Sequence, residues 1–112
     1  ADRHQGAPLT RQVRAEWQEV VLVCRKCSKR LDGGFGPDGD ERFAKALRRH
    51  LGEAAKGKPR KRKVGIVEVG CLDICPKGGV VVIRAAAPGR WLVVPRDMPM
   101  AAAVEPLGLD LD

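Results

Sequence analysis

Four cysteines, at positions 24, 27, 71 and 75, are the residues of this 112-residue sequence best suited to chemistry. They fall in two pairs, Cys24-x2-Cys27 and Cys71-x3-Cys75. Thiolates are soft donors and nucleophiles, so close pairs serve as disulfides, as metal or cluster ligands, or as a redox dithiol. The N-terminal residues are polar and charged, with no apolar signal segment, which weighs against persistent disulfides and in favour of ligation. A cytoplasmic location is expected on the same ground. Four cysteines suit a [2Fe–2S] cluster. They also suit zinc, although C-x3-C is less typical of zinc knuckles. A dithiol oxidoreductase would use Cys24 and Cys27 alone, at the opening of a helix. Here the Gly-, Pro- and Asp-containing stretch before Asp40 is expected to separate that pair from the next helix. Cysteines with no ligand are the remaining use. His4 lies in the N-terminal arm and His50 on a predicted helix, so neither adds a ligand.

Two short apolar runs must position the cysteines. Glu19 to Cys24 (EVVLVC) and Val64 to Val69 (VGIVEV) read as buried strands, and each leads directly into a cysteine loop. Residues 25–39, basic and then glycine-rich, read as a loop. From Asp40 the period changes: Phe43, Leu47, Leu51 and Ala54 share one helical face, with Asp38 or Asp40 as cap and Gly57 as stop. Val80 to Arg84 and Arg90 to Val94 form a hairpin around a Pro-Gly turn. Pro99 and Pro106 leave room only for a short helix around Met98 to Val104. The expected fold is α/β, a thioredoxin-like mixed sheet of about four strands with one main helix and a weak C-terminal helix. The expected organisation is a flexible arm over residues 1–18, a domain over 19–96 and a tail over 97–112. If the first two strands are parallel neighbours, both cysteine pairs meet at one edge of the sheet.

The segment VGCLDICPKGGVVVI, followed by GRWLVV, resembles the thioredoxin-like [2Fe–2S] ferredoxins. The likeness rests on Gly70, Cys71, Cys75, Pro76, Gly78 or Gly79, Val80 to Ile83 and Trp91, and on the strand ending at Cys24. It covers about residues 19 to 95, in a branch with closely spaced first cysteines. It implies one [2Fe–2S] cluster held by Cys24, Cys27, Cys71 and Cys75, and often a homodimer. The function expected is electron transfer rather than enzymatic catalysis, with a zinc or labile-cluster structural or regulatory protein as the alternative. A related domain serves in NADH dehydrogenases and NAD-linked hydrogenases, so a role as an electron-transfer subunit follows from the same likeness.

The net charge of +7 is unevenly distributed. Arg25, Lys26, Lys29, Arg30 and Lys77 flank the cysteines, which suits an acidic redox partner. Lys56, Lys58, Arg60, Lys61, Arg62 and Lys63 form a second cluster. No aromatic residue accompanies that run, so it reads as a solvated linker and nucleic acid is not expected as a partner. No apolar run is long enough to span a membrane.

Overall fold

The structure is a computed structural model that describes residues 10–74 and 76–108. Strand β1 (Glu19–Cys24) runs into helix α1 (Arg25–Leu31). Helix α2 (Phe43–Leu51) continues as a 3-10 turn over Gly52–Ala55, and a second 3-10 turn over Pro59–Lys61 leads to β2 (Val64–Val69). Strands β3 (Gly79–Arg84) and β4 (Trp91–Pro95) form the expected hairpin, and a short helix α3 (Met100–Ala103) follows. The four strands make one mixed sheet in the order β2-β1-β3-β4. Only β1 and β2 are parallel; β3 is antiparallel to both of its neighbours. The α/β class and the four-strand sheet agree with the sequence reading.

Valine and isoleucine dominate the strands because branching at Cβ suits a pleated, packed surface. Every residue of β3 from Gly79 to Ile83 is buried, as expected of a strand between neighbours and beneath helices. Helix α2 seals part of the sheet with Phe43, Ala44, Ala46 and Leu47. Phe35 and Phe43 meet edge to face, their ring centroids 5.2 Å apart, the geometry that aligns a positive ring edge with a negative ring face. Ala103 and Leu107 are fully buried, so the segment beyond residue 96 closes the core.

Two local expectations fail. Residues 25–31 form a helix where a loop was expected. Arg, Lys and Leu are good helix formers, and the helix stops at Asp32, which takes the left-handed conformation (φ 49°) and donates its N–H to the Ser28 carbonyl. The second failure is the start of α2, where Arg42 holds the cap position with no side-chain hydrogen bond, so neither Asp38 nor Asp40 caps it. Glu41 is instead buried, bridged through its backbone to Phe35 and ion-paired at 2.5 Å with Arg49. Its carboxylate occupies the space that a side chain at residue 36 would fill, which only Gly36 leaves open. The arm also proves partly anchored: the N–H groups of Glu16 and Gln18 donate to the carbonyls of Arg60 and Lys63, each at 2.7 Å.

Phe43 is the test of this core. Replacement by Ala should cost about 3–5 kcal/mol, a large part of the stability of a domain this size. Phe43→Leu should cost about 1–2 kcal/mol, because most of the volume remains. Urea denaturation followed by circular dichroism measures both, and equal losses would show that the ring has no close packing to lose.

Candidate metal centre

The parallel register pairs Glu19 with Val64 at one end and Cys24 with Val69 at the other. Both strands therefore release their chains at the same edge of the sheet. Beyond β1 the chain turns at once into α1, with Cys24 at the N-cap (φ −68°, ψ 112°) and Cys27 in the first turn. Both cysteines are buried, at 0% and 4% exposure. Ser28, also buried, donates its hydroxyl to the Cys24 carbonyl at 3.1 Å and so locks the strand-to-helix corner. The C-x2-C pair does open a helix, contrary to the sequence expectation.

Beyond β2 the chain enters the loop that carries Cys71. The Cys27 thiol lies 3.8 Å from the Ile74 carbonyl and donates toward it. The Leu72 N–H faces the Cys24 sulfur. Cys71 itself is exposed, and its sulfur accepts from the Asp73 N–H at 3.4 Å. The fold thus joins Cys24 and Cys27 side by side and lays the Cys71 loop against them, while the Cys71 side chain points outward. Among the described residues, no three His, Cys, Asp or Glu side chains form a group that could hold a metal ion. Cys75, the fourth expected ligand, lies outside the described residues.

Burial acts on the Cys24 thiol by raising its pKa, since a buried thiolate loses solvation. The N–H and thiol of Cys27, and the N–H groups of Leu72 and Lys26, outweigh that effect, so the pKa falls below the ordinary cysteine value. Among the described residues no side-chain cap hydrogen bond closes this corner. The N–H dipoles still face the sulfur closely enough to favour its charged form. The same donors would serve a metal-bound thiolate, because they offset negative charge on sulfur. A buried soft donor whose charged form is favoured, beside a second cysteine, fits thiophilic metals and clusters by its chemistry.

Residues outside the cysteine pairs also shape the site. Arg96 donates its side chain to the Leu31 carbonyl at 2.9 Å and its backbone N–H to the Gly78 carbonyl at 2.7 Å. It therefore ties the end of the cysteine helix to the end of the cysteine loop. Between them lies a cavity of about 200 Å³, lined by Cys27, Arg30, Leu31 and residues 76–79, with Lys77 at its rim. Arg25, Lys26, Lys29, Arg30 and Lys77, which flank the cysteines in sequence, are all exposed, as are the nearby acidic residues Glu68 and Asp73. Ser28 could be anticipated from its i+4 relation to Cys24 once a helix is drawn there. The reach of Arg96 across the fold left no mark in the local sequence. Comparison with protein-family models, curated proteins and solved structures returned no match for this chain. Among the described residues no helix is long and apolar enough to cross a membrane.

The lowered Cys24 pKa has a definite stability consequence. A thiol whose pKa is depressed by folding contributes stability above its unfolded value, and that contribution is lost as pH falls through the folded value. Metal-free protein should therefore gain stability between the lowered value and the ordinary one, and Cys24→Ser should flatten that rise. Urea titrations across this pH range, with ultraviolet thiolate absorbance alongside, test it; an unchanged slope in Cys24→Ser would refute the assignment.

Proposed function

We propose that this protein is a small ferredoxin-like electron carrier in which Cys24, Cys27, Cys71 and Cys75 hold one [2Fe–2S] cluster. The observation that carries the proposal is the in-register parallel pairing of β1 with β2, which delivers the two cysteine segments to one edge in mutual contact. A strand–helix–strand unit followed by a hairpin is also the layout a thioredoxin-like domain requires, in line with the ferredoxin resemblance. The cluster, when bound, supplies one-electron exchange. The chain's own residues hold and shield it. Cys24 and Cys27 provide donors from a rigid strand-to-helix corner locked by Ser28. Leu72 and Lys26 direct N–H dipoles at the Cys24 sulfur, and Arg96 keeps helix and loop in register. Cys71 must rotate inward from its exposed position to join them, a side-chain movement in a short loop. Four cysteine donors at one edge suit electron transfer through a bound cluster, and on that ground we assign the site transfer rather than turnover.

A second reading has an observation of its own. Cys24 and Cys27 open α1 with a lowered pKa on the first cysteine, which is the arrangement of a redox dithiol. The two readings differ in metal content. Protein prepared without oxygen should contain two iron and two acid-labile sulfide atoms per chain, in about those amounts for the cluster named, and show visible absorption that bleaches with dithionite. Single replacement of Cys24, Cys27, Cys71 or Cys75 by Ser should reduce the bound iron. Iron-free protein with a reversible Cys24–Cys27 disulfide would favour the dithiol, and colourless protein with one zinc would favour a structural or regulatory site.

The basic residues around the cysteines support a partner with an acidic face. Positive charge beside the cysteines also offsets negative charge on the thiolates and favours the reduced state. Association with an acidic redox protein should slow by about tenfold from low to physiological salt, as screening shortens the reach of the rim. Stopped-flow measurement over a salt series tests this, and a rate indifferent to salt would remove electrostatic docking.

A further inference from the structure

The second basic cluster is built differently from a solvated linker. Lys58 to Lys63 sits at the start of β2, and the arm that precedes β1 lies beside it. Backbone bonds from Glu16 to Arg60 and from Gln18 and Glu19 to Lys63 zip the arm to the run. Trp17 falls between those bonds. Its ring packs over Gly65, where any side chain would collide with it, and its indole N–H donates to the Pro59 carbonyl at 2.5 Å. Trp17 as a residue still leaves 37% of its surface exposed. Lys56, Lys58, Arg60, Lys61 and Lys63 are exposed around it, and Arg62 is held by a 2.9 Å bond from its guanidinium to the Gly57 carbonyl. Lys61 pairs with Glu16 at 3.6 Å, and the remaining cations of the run have no ion pair within 4 Å among the described residues. Sequence reading set nucleic acid aside because no aromatic accompanied the run; folding brings one there from more than forty positions away along the chain.

We propose that this pole of the protein binds single-stranded nucleic acid without sequence preference. The cations track the phosphates and Trp17 offers a rigid platform on which a base stacks, the pairing of features that single-strand sites use. A fixed, half-exposed ring favours a base over a lipid surface, because one side of the indole is already occupied by Gly65 and its N–H by Pro59. The pole lies at the opposite end of β1 and β2 from the cysteines, about 17 Å away by the rise of a six-residue strand. Binding there leaves the cysteine edge open to its own partner.

The test uses the full chain and a fluorescein-labelled oligothymidylate of about 12 nucleotides, a length within single-strand site sizes. Binding should saturate, and log K against log salt should fall with a slope of about −3, as four to five phosphate contacts give. In a Trp91→Phe background the remaining Trp17 fluorescence should be quenched on binding. Trp17→Leu should weaken binding by about tenfold, Trp17→Phe by much less, and a Lys58→Glu, Arg60→Glu, Lys63→Glu triple variant by more than tenfold. Circular dichroism confirms that each variant is folded, and the exposed charge variants keep the question decidable if Trp17→Leu is not. Absence of saturable binding at low salt overturns the proposal. So does an affinity indifferent to Trp17→Leu in folded protein, or binding to phosphatidylserine vesicles with none to the oligonucleotide.

Discussion

Parallel pairing of β1 with β2 is the constraint on which the rest depends. Two parallel strands in register must both end at one edge, and the chain between them has to return the length of the sheet. That return is made by α1, the Phe35–Glu41 turn, α2 and the basic 3-10 turn, so nearly every other element of the first half exists within the crossover. The same geometry sorts the molecule's chemistry. Residues that follow the strands, Cys24, Cys27 and the Cys71 loop, gather at one end, and residues that precede them, Trp17 and Lys58 to Lys63, gather at the other.

Burial then separates what each end can do. At the cysteine edge two thiols are taken out of water, and the cost to a charged sulfur is met by N–H groups at the start of α1 and in the following loop. This favours a charged donor in a site closed on one side, suited to holding a ligand. At the basic end most of the cationic side chains remain in solvent, while the backbone, Trp17 and the Arg62 guanidinium are held by hydrogen bonds. Solvated cations around a fixed ring cost little to hold apart and remain available to a polyanion. Two clusters of the same sign therefore have different physical characters, one biasing a buried site and the other presenting a surface.

The Phe35–Glu41 turn shows how a polar residue can serve the core. Glu41 is buried with one carboxylate oxygen on Arg49, and the other, Oε1, has no hydrogen-bond partner among the described residues. A buried carboxylate of this kind is costly without its cation, so the pair reinforces the seat of α2 against the turn mainly by making other arrangements worse. Arg96 acts similarly at a distance, using one side chain and one N–H to join two segments that each carry cysteine chemistry.

Local pattern was enough for four strands, a main helix over the Phe43–Leu47–Leu51 face, and the two cysteine pairs, since periodicity and β-branching act over a few residues. It also favoured parallel neighbours, because strands joined by a long helical crossover pack that way. It missed α1, four of whose seven residues are basic and whose apolar groups lie only at Cys27 and Leu31, too few for periodicity to register. It misassigned the cap of α2, because Glu41 is drawn inward by Arg49 and by the space at Gly36 rather than by its own neighbours in sequence. What the sequence determined alone was the inventory: thiols at strand ends and two blocks of positive charge. Tertiary structure decided which members of that inventory meet, because contacts such as Trp17 with Pro59 or Arg96 with Leu31 are set by the path of the sheet and cross distances that no local rule spans.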